Sequence, residues 1–523
     1  MVAVSTPKIA LTLKYLTAGH DNDGRSSMVA IMSLAKRFPD AMEASFAPDG
    51  EFFVVGIKDL NKFSESLQTV FTPNKDGILD LWGLADSDVE EDIRLMYLGH
   101  NALLATDLQH PSSCKKGKAE PPKPFRVEED SEKTIEVSYK KAIGSNHHAK
   151  TAQMIVEYLK SDPANQDTVI SVTSALIPGG AIKHTINKDT SLRVTVKEAL
   201  LALVAPINSL PIKIRTEGQV QYGWIRPIYQ GIPTSPIPKL KAKNLEVSSS
   251  TDAGFMFLAT RLLESILAST DIVGCSVKVY GSPAWNKQQR TLIDDREVFL
   301  PPDQERLISL CYDFFGNKYV TTKEGKTFLS VSQLRSFMVE NIGKRLHIYH
   351  GLDSNTDIQS QMSYYSEEIA KMNKCLTPEQ CKQFGESVRI AICEYRYSRY
   401  KDSTSRGNEL DFTKYIDKLK SAVKRSRIPE TFKVLFVDQC ELWGVDGTKV
   451  KEWKDYMSMY WSDYRYLLMA ELCIHDSEYR PYSKKKKQEA EERKRAAAAN
   501  SEPTETTDDD YDFDESESME LPV

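Results

Sequence analysis

The sequence predicts a mainly α-helical protein with some β structure in its first half. It should be two-lobed, with a helical C-terminal lobe and a disordered C-terminal tail. Three observations lead there. Short apolar runs before residue 210 alternate with a period of two, and apolar residues after 245 recur at three-and-four steps. The last forty residues change charge sign halfway along.

Ile9, Leu11, Leu13 and Tyr15 alternate with Ala10, Thr12 and Lys14, which is a strand pattern. Residues 27–38 carry helical spacing, and residues 51–57 (Phe52-Phe53-Val54-Val55) read as a short strand. Residues 88–108 form a helix with acids in the first turn, where the helix dipole favours them. Residues 112–133, with Lys115, Lys116, Lys118, Pro121, Pro122 and Pro124, show no period and read as a surface loop. Residues 134–139 and 169–176 look like strands, and 147–160 and 196–204 like helices. Residues 209–244 hold five prolines and three glycines, too many for regular structure, and read as an extended segment bridging two lobes. Helical spacing then dominates at 251–270, 301–315, 331–342, 365–374, 377–400 and 450–473.

The domain division that follows is 1–110 (mixed α/β), 111–133 (linker or long loop), 134–245 (mixed, ending in the Pro-rich basic segment), 246–483 (helical lobe) and 484–523 (basic-then-acidic tail). At 523 residues the chain exceeds what one core normally serves. No run approaches the roughly 18 apolar residues of a membrane span, and the N-terminus lacks a signal-peptide pattern. Eight cysteines without a framework spacing suit free thiols in a reducing compartment.

Charge is unevenly distributed. The chain has 68 basic and 74 acidic residues; the last forty hold seven and thirteen, leaving 61 of each for the body. The whole net charge of −6 therefore lies in the tail. Residues 501–523 hold ten acids and no Lys or Arg, too little apolar surface to offset the entropy of ordering.

Enzyme motifs are absent. Gly325-Lys326-Thr327 resembles the end of a phosphate loop, but Val320 stands where its first glycine belongs. Cys375 and Cys381 lack zinc-site spacing, and Asp21-Asn22-Asp23-Gly24 reaches Met32 where a calcium loop needs Glu. His347 and His350 read as a helix-end or surface pair, Asp294-Asp295 as a loop, and His147-His148 as helix surface. No catalytic residue, metal site or cofactor is expected.

Two segments interleave cations with aromatics. Residues 206–243 carry Lys213, Arg215, Arg226, Lys239, Lys241 and Lys243 against Glu217, with Tyr222, Trp224 and Tyr229 among them. Cations neutralise phosphates while rings stack on bases regardless of sequence. Residues 388–427 hold eleven cations and five acids, including Arg396, Arg399, Lys401, Lys414, Lys418, Lys424 and Arg425. The RNA-contact expectation comprises Lys213, Arg215, Tyr222, Trp224, Arg226 and these seven. The competing readings are an anchored loop for the first segment and a solvated helix surface for the second. In the tail, Lys484, Lys485, Lys486, Lys487, Arg493, Lys494 and Arg495 suit a nuclear import signal or a prolonged helix. Thr506 and Thr507, each with an acid three residues on, suit phosphorylation by an acid-directed kinase.

With its two lobes, central basic segment, basic helices and basic-then-acidic tail, the chain resembles a nucleoprotein of a negative-strand RNA virus of the rhabdovirus-like type. The resemblance implies a structural protein that polymerises on single-stranded genomic RNA and coats it in a groove between lobes. It further implies a phosphoprotein or other basic partner at the tail, no membrane, and a place in virion and host cytoplasm, with the nucleus reached through the import signal. No motif of that family is matched residue by residue. The alternative is a nuclear or cytoplasmic scaffold whose acidic tail binds basic partners; an enzyme without a recognisable motif is the third reading.

Overall fold

The computed structural model describes residues 9–14, 22–46, 52–108, 120–127, 132–162, 169–173, 191–216, 219–230, 241–263, 272–281, 291–376, 379–400 and 406–500. The mixed first half comprises β1 (Ile9–Lys14), α1 (Asn22–Arg37), β2 (Met42–Phe46), β3 (Phe52–Ile57), α2 (Leu60–Phe71), α3 (Glu90–Ala105), β4 (Lys123–Arg126), β5 (Thr134–Val137), α4 (His147–Ser161), β6 (Val169–Thr173), β7 (Ser191–Thr195), α5 (Val196–Val204), β8 (Leu210–Thr216) and β9 (Gln219–Tyr229). Next come β10 (Glu246–Val247), α6 (Ser250–Leu263), β11 (Ile272–Gly281), β12 (Thr291–Phe299), α7 (Glu305–Phe314), β13 (Lys318–Thr321), β14 (Thr327–Ser330) and α8 (Gln333–Gly343). The chain then runs helical through α9 (Thr356–Met362), α10 (Ser366–Cys375), α11 (Glu379–Tyr400), α12 (Arg406–Arg425), α13 (Pro429–Leu442) and α14 (Gly447–Asn500).

Local chemistry sets many of the ends. Asp59 caps α2 through Asn61 and Lys62 amides, Asn146 caps α4 through the Ala149 amide, and Thr195 with Glu198 forms a reciprocal capping box on α5. Pro429 begins α13 at a position where its missing amide costs nothing. Gly325 turns the β13–β14 hairpin at φ 83°, so the Gly-Lys-Thr run is a turn rather than a phosphate cradle.

A five-stranded sheet, ordered β10-β8-β9-β11-β12, divides two hydrophobic cores. Trp224 of β9 and Tyr280 of β11 face a first core built mostly by α1, β3, α2, α4 and α5. Ile212, Ile225, Val277 and Val279 face a second core shared with α6 to α14. Burying each such large side chain is worth about 1.5–3 kcal/mol. β9 and β11 approach so closely that a Cβ on Gly223 would lie 2.3 Å from the Lys278 carbonyl oxygen.

Three expectations change here. Residues 209–244 are not a loose bridge: 210–216 and 219–229 are paired strands inside the sheet. The division at 245 cuts through that sheet, whose β10, β11 and β12 follow it, and Asp294-Asp295 lie on β12. Within 484–523, residues 484–500 continue α14 as helix, whereas 501–523, with Thr506 and Thr507, lie outside the described residues. α14 carries a break at Tyr460 and contains Pro481, and residues 491–497 beyond it are exposed. Among the described residues no helix is long and apolar enough to cross a membrane.

Candidate nucleic-acid interface

Several residues of the central basic segment are held by the fold. Trp224 is 0% exposed, and its indole Nε1 donates to Thr106 Oγ1 at 2.9 Å. Its ring has no free face for a base. Arg226 is buried beside Asp107, whose carboxyl is pushed up to about 6 by burial, with Arg226 and Lys278 pulling the other way. Lys213 and Arg215 meet Glu246 at 3.5 and 2.7 Å, and the buried Arg94 reaches the same carboxylate at 4.0 Å. Burial lowers the Lys213 ammonium below the usual lysine range, with Glu246 opposing that shift. Tyr222 is half-buried and packs against both cores. Trp224 and Arg226 therefore correct the sequence reading, because sheet and core enclose them, while Lys213, Arg215 and Tyr222 are partly exposed and the two cations are tied to Glu246. A strand of alternating Lys, Arg and aromatic residues looks the same in sequence whether its polar face meets water or another layer of the fold.

The second segment divides. Arg396 is withdrawn from solvent, with its side chain 9% exposed. Its Nη1 donates to Asp476 Oδ1 at 2.7 Å, and the guanidinium lies over the Tyr479 and Phe412 rings at 4.0 and 4.8 Å. It clamps α11 to α14 and cannot be an RNA contact. Lys401 lies outside the described residues.

The remaining cations stay at the surface. Arg399, Lys414, Lys418, Lys424 and Arg425 are all exposed on α11 and α12. Lys414 makes only a long surface pair with Asp411 at 3.9 Å, and among the described residues Lys418, Lys424 and Arg425 have no carboxylate partner. Lys414, Lys418 and Arg425 follow the helical repeat along one side of α12. Arg399 sits over the Tyr395 ring, 5.7 Å from its centroid, and hydrogen-bonds its hydroxyl. Tyr395 is in turn 6.0 Å from Tyr415, which sits between Lys414 and Lys418 in the chain. The pairing fixes the guanidinium while leaving its charge in water.

The basic run of α14 belongs to the same neighbourhood. Tyr482 packs edge-on against Tyr397 of α11 at 6.3 Å, and Lys486 lies 5.6 Å from the Tyr482 ring centroid. Lys484, Lys485 and Lys487 are exposed on the helical turn that holds Lys486. Their proximity to Arg399 was not legible in sequence, because more than eighty residues separate them. The aromatic residue two positions before the basic run was the only signal.

The other expected non-sites fall as follows. His347 is partly buried and stacked on Tyr466 at 5.0 Å, whereas His350 is exposed and shares a 2.6 Å hydrogen bond with the Tyr466 hydroxyl, so the surface reading stands for His350 and only in part for His347. His148 is buried, against Phe71. Among the described residues no group of three or more His, Cys, Asp or Glu is arranged to hold a metal ion.

No curated protein matches the chain. A family model described as the DevT N-terminal domain matches residues 52–203. That stretch runs from β3 through α5, supplies much of the first core, and ends before β8 and both basic segments. The chain is thus similar to the DevT N-terminal domain over the first core, and the exposed cations of α11, α12 and α14 lie beyond that similarity.

Proposed function

We propose that the protein binds single-stranded RNA without sequence preference and coats it in several copies, as a structural rather than enzymatic component. The observation that supports this reading is the exposed row of Arg399, Lys414, Lys418, Lys424 and Arg425, three of which have no carboxylate partner among the described residues. Phosphates attract such cations by releasing condensed counterions, and a tyrosine-backed arginine adds a stacking plane. The groove expected around Lys213 to Arg226 has no part in it; the phosphates would run along α12 toward the end of α11. Viral genomic RNA is the substrate class that the resemblance of the sequence implies.

The test is a charge-reversed variant, Arg399→Glu with Lys418→Glu, Lys424→Glu and Arg425→Glu, titrated with unrelated single-stranded RNAs at several salt concentrations. Uniform weakening across sequences is expected, with the salt slope reduced by about 0.7 per lost phosphate contact. Unchanged affinity and slope in a normally folded variant would overturn the surface assignment. Light scattering with absorbance at 260 and 280 nm then reports assembly. A monomer that never takes up RNA favours the scaffold reading, in which the acidic tail recruits basic partners.

A further inference from the structure

The central sheet has one long edge. β12 pairs with β11 on one side only, and no backbone hydrogen bond from another described element reaches residues 291–299. Exposed edge strands invite pairing, and proteins usually blunt them. Here the edge carries Ile293 at 43% exposure and Phe299 at 48%. Beside its C-terminal half lies a groove of ≈ 540 Å³, with Phe255, Val298, Phe299 and Leu300 among its walls.

The opposite lip of the groove is the end of α8. Lys344 and Arg345 stand there, both exposed and neither in an ion pair among the described residues. Arg345 occupies the left-handed region at φ 56°, where its amide closes the helix on the Ile342 carbonyl and the Leu346 amide reaches Asn341. Glycine would fit that position more easily, and arginine keeps a cation on the lip. Arg296 adds a third cation, held by Asp294 and Thr251. Glu297 and Glu340 are the acids of the groove, so it is cationic on balance.

The sequence contains one segment that matches this surface feature by feature. Asp510-Tyr511-Asp512-Phe513-Asp514 alternates acid and aromatic with the strand period of two. Added to a sheet edge, such a segment turns both rings to one face and all three carboxylates to the other. Strand addition draws affinity from main-chain hydrogen bonds and specificity from pockets for alternate side chains. We propose that residues 508–515 of this chain dock as an added strand along β12, with Tyr511 and Phe513 in the groove and the acids that share their face, Asp509 at one end or Glu515 at the other, against Lys344 and Arg345. The tail would then be a ligand of the protein's own sheet and not only a solvated arm. This proposal is independent of RNA binding.

The experiment uses the chain shortened to residues 1–500 and a synthetic peptide of residues 501–523, with no nucleic acid present. Fluorescence anisotropy of the labelled peptide should show saturable binding. Tyr511→Ala with Phe513→Ala in the peptide, and separately Lys344→Glu with Arg345→Glu in the protein, should each weaken it by about tenfold or more. Hydrogen exchange in the full chain should show residues 292–299 better protected than in the shortened chain. Circular dichroism and thermal unfolding establish that the substituted protein is folded. Absence of saturable binding, or binding indifferent to both pairs of substitutions, overturns the proposal, as does identical exchange along β12 with and without the tail. Failure here leaves the RNA titration untouched, and failure of that titration leaves this result standing.

Discussion

Arg389 and Glu471 form a two-pronged ion pair, with Nε to Oε2 at 2.7 Å and Nη2 to Oε1 at 2.9 Å. Glu471 is buried, and its Oε1 also accepts from Asn373, whose own oxygen accepts from the Tyr349 hydroxyl. The chain of contacts ties α11 to α14 and α10. Removing one partner strands the other charge in the core. Arg389→Ala should therefore lower unfolding free energy by about 3–5 kcal/mol, whereas an apolar replacement of both residues should recover much of that loss. Urea unfolding of the single and double variants measures it; a loss within error for Arg389→Ala would contradict the role assigned to the pair.

Trp224 separates structural from binding roles. Trp224→Phe removes the indole bond to Thr106 and some core volume, and should cost about 1–3 kcal/mol of stability. RNA affinity of the folded variant at low temperature should match the wild type. A loss of affinity there, with stability unchanged, would return this ring to the nucleic-acid surface.

Among the described residues the imidazole of His148 has no hydrogen-bond partner for either ring nitrogen. Burial holds it down at about 3, with the neighbouring His147 adding to the effect. Burial also lowers His347 to about 3, and His100 and His475 to about 4. A histidine depressed in the folded state takes up protons more readily when unfolded. Stability is thus complete above pH 6.5 and declines as pH falls toward those lower values. His148 alone should cost roughly 2 kcal/mol at pH 5. Asp107, raised to about 6, works in the opposite sense and offsets part of the total. Stability curves at pH 7 and 5 should diverge less for His148→Phe than for the wild type; equal divergence would remove His148 from the acid response.

Truncation distinguishes the two halves of the tail. Deleting 501–523 should leave RNA affinity equal or higher, because it removes ten negative charges that repel phosphates. Deleting 484–523 also removes Lys484 to Lys487, next to Tyr397 and Arg399, and should lower affinity and flatten its salt dependence. Equal affinities for the two truncated proteins would exclude the basic turn from the interface.

Where local chemistry was strong, the sequence was readable. α5 spans the residues read as helical, 196–204, with Thr195 and Glu198 closing its start, and α4 and α11 also begin close to the residues their pattern indicated. β8 and β9 were hidden by proline, for a reason visible only in the pairing. Pro211 lies where β8 bonds β9 alone, because β10 spans only Lys213 and Ile214, and Pro227 lies past the end of β8, where β9 bonds only β11. Each proline thus has an open side on which no amide is needed. Arg396 and Arg399 show the same limit at the candidate surface. They are one helical turn apart on α11 and equally charged, yet one is enclosed by Asp476 and Tyr479 and the other is in solvent. Composition cannot separate them; the path of α14 does.

Adjacent residues of β9 look into different interiors: Trp224 into the first core and Ile225 into the second. A pairing error of one residue would drive an indole into a slot shaped for isoleucine and leave a void on the far side, so two interiors would be spoiled by a single slip. The central strand thus acts as a shared key for two locks. The packing of the N-terminal unit and that of the C-terminal helices are tied to one register of the same sheet.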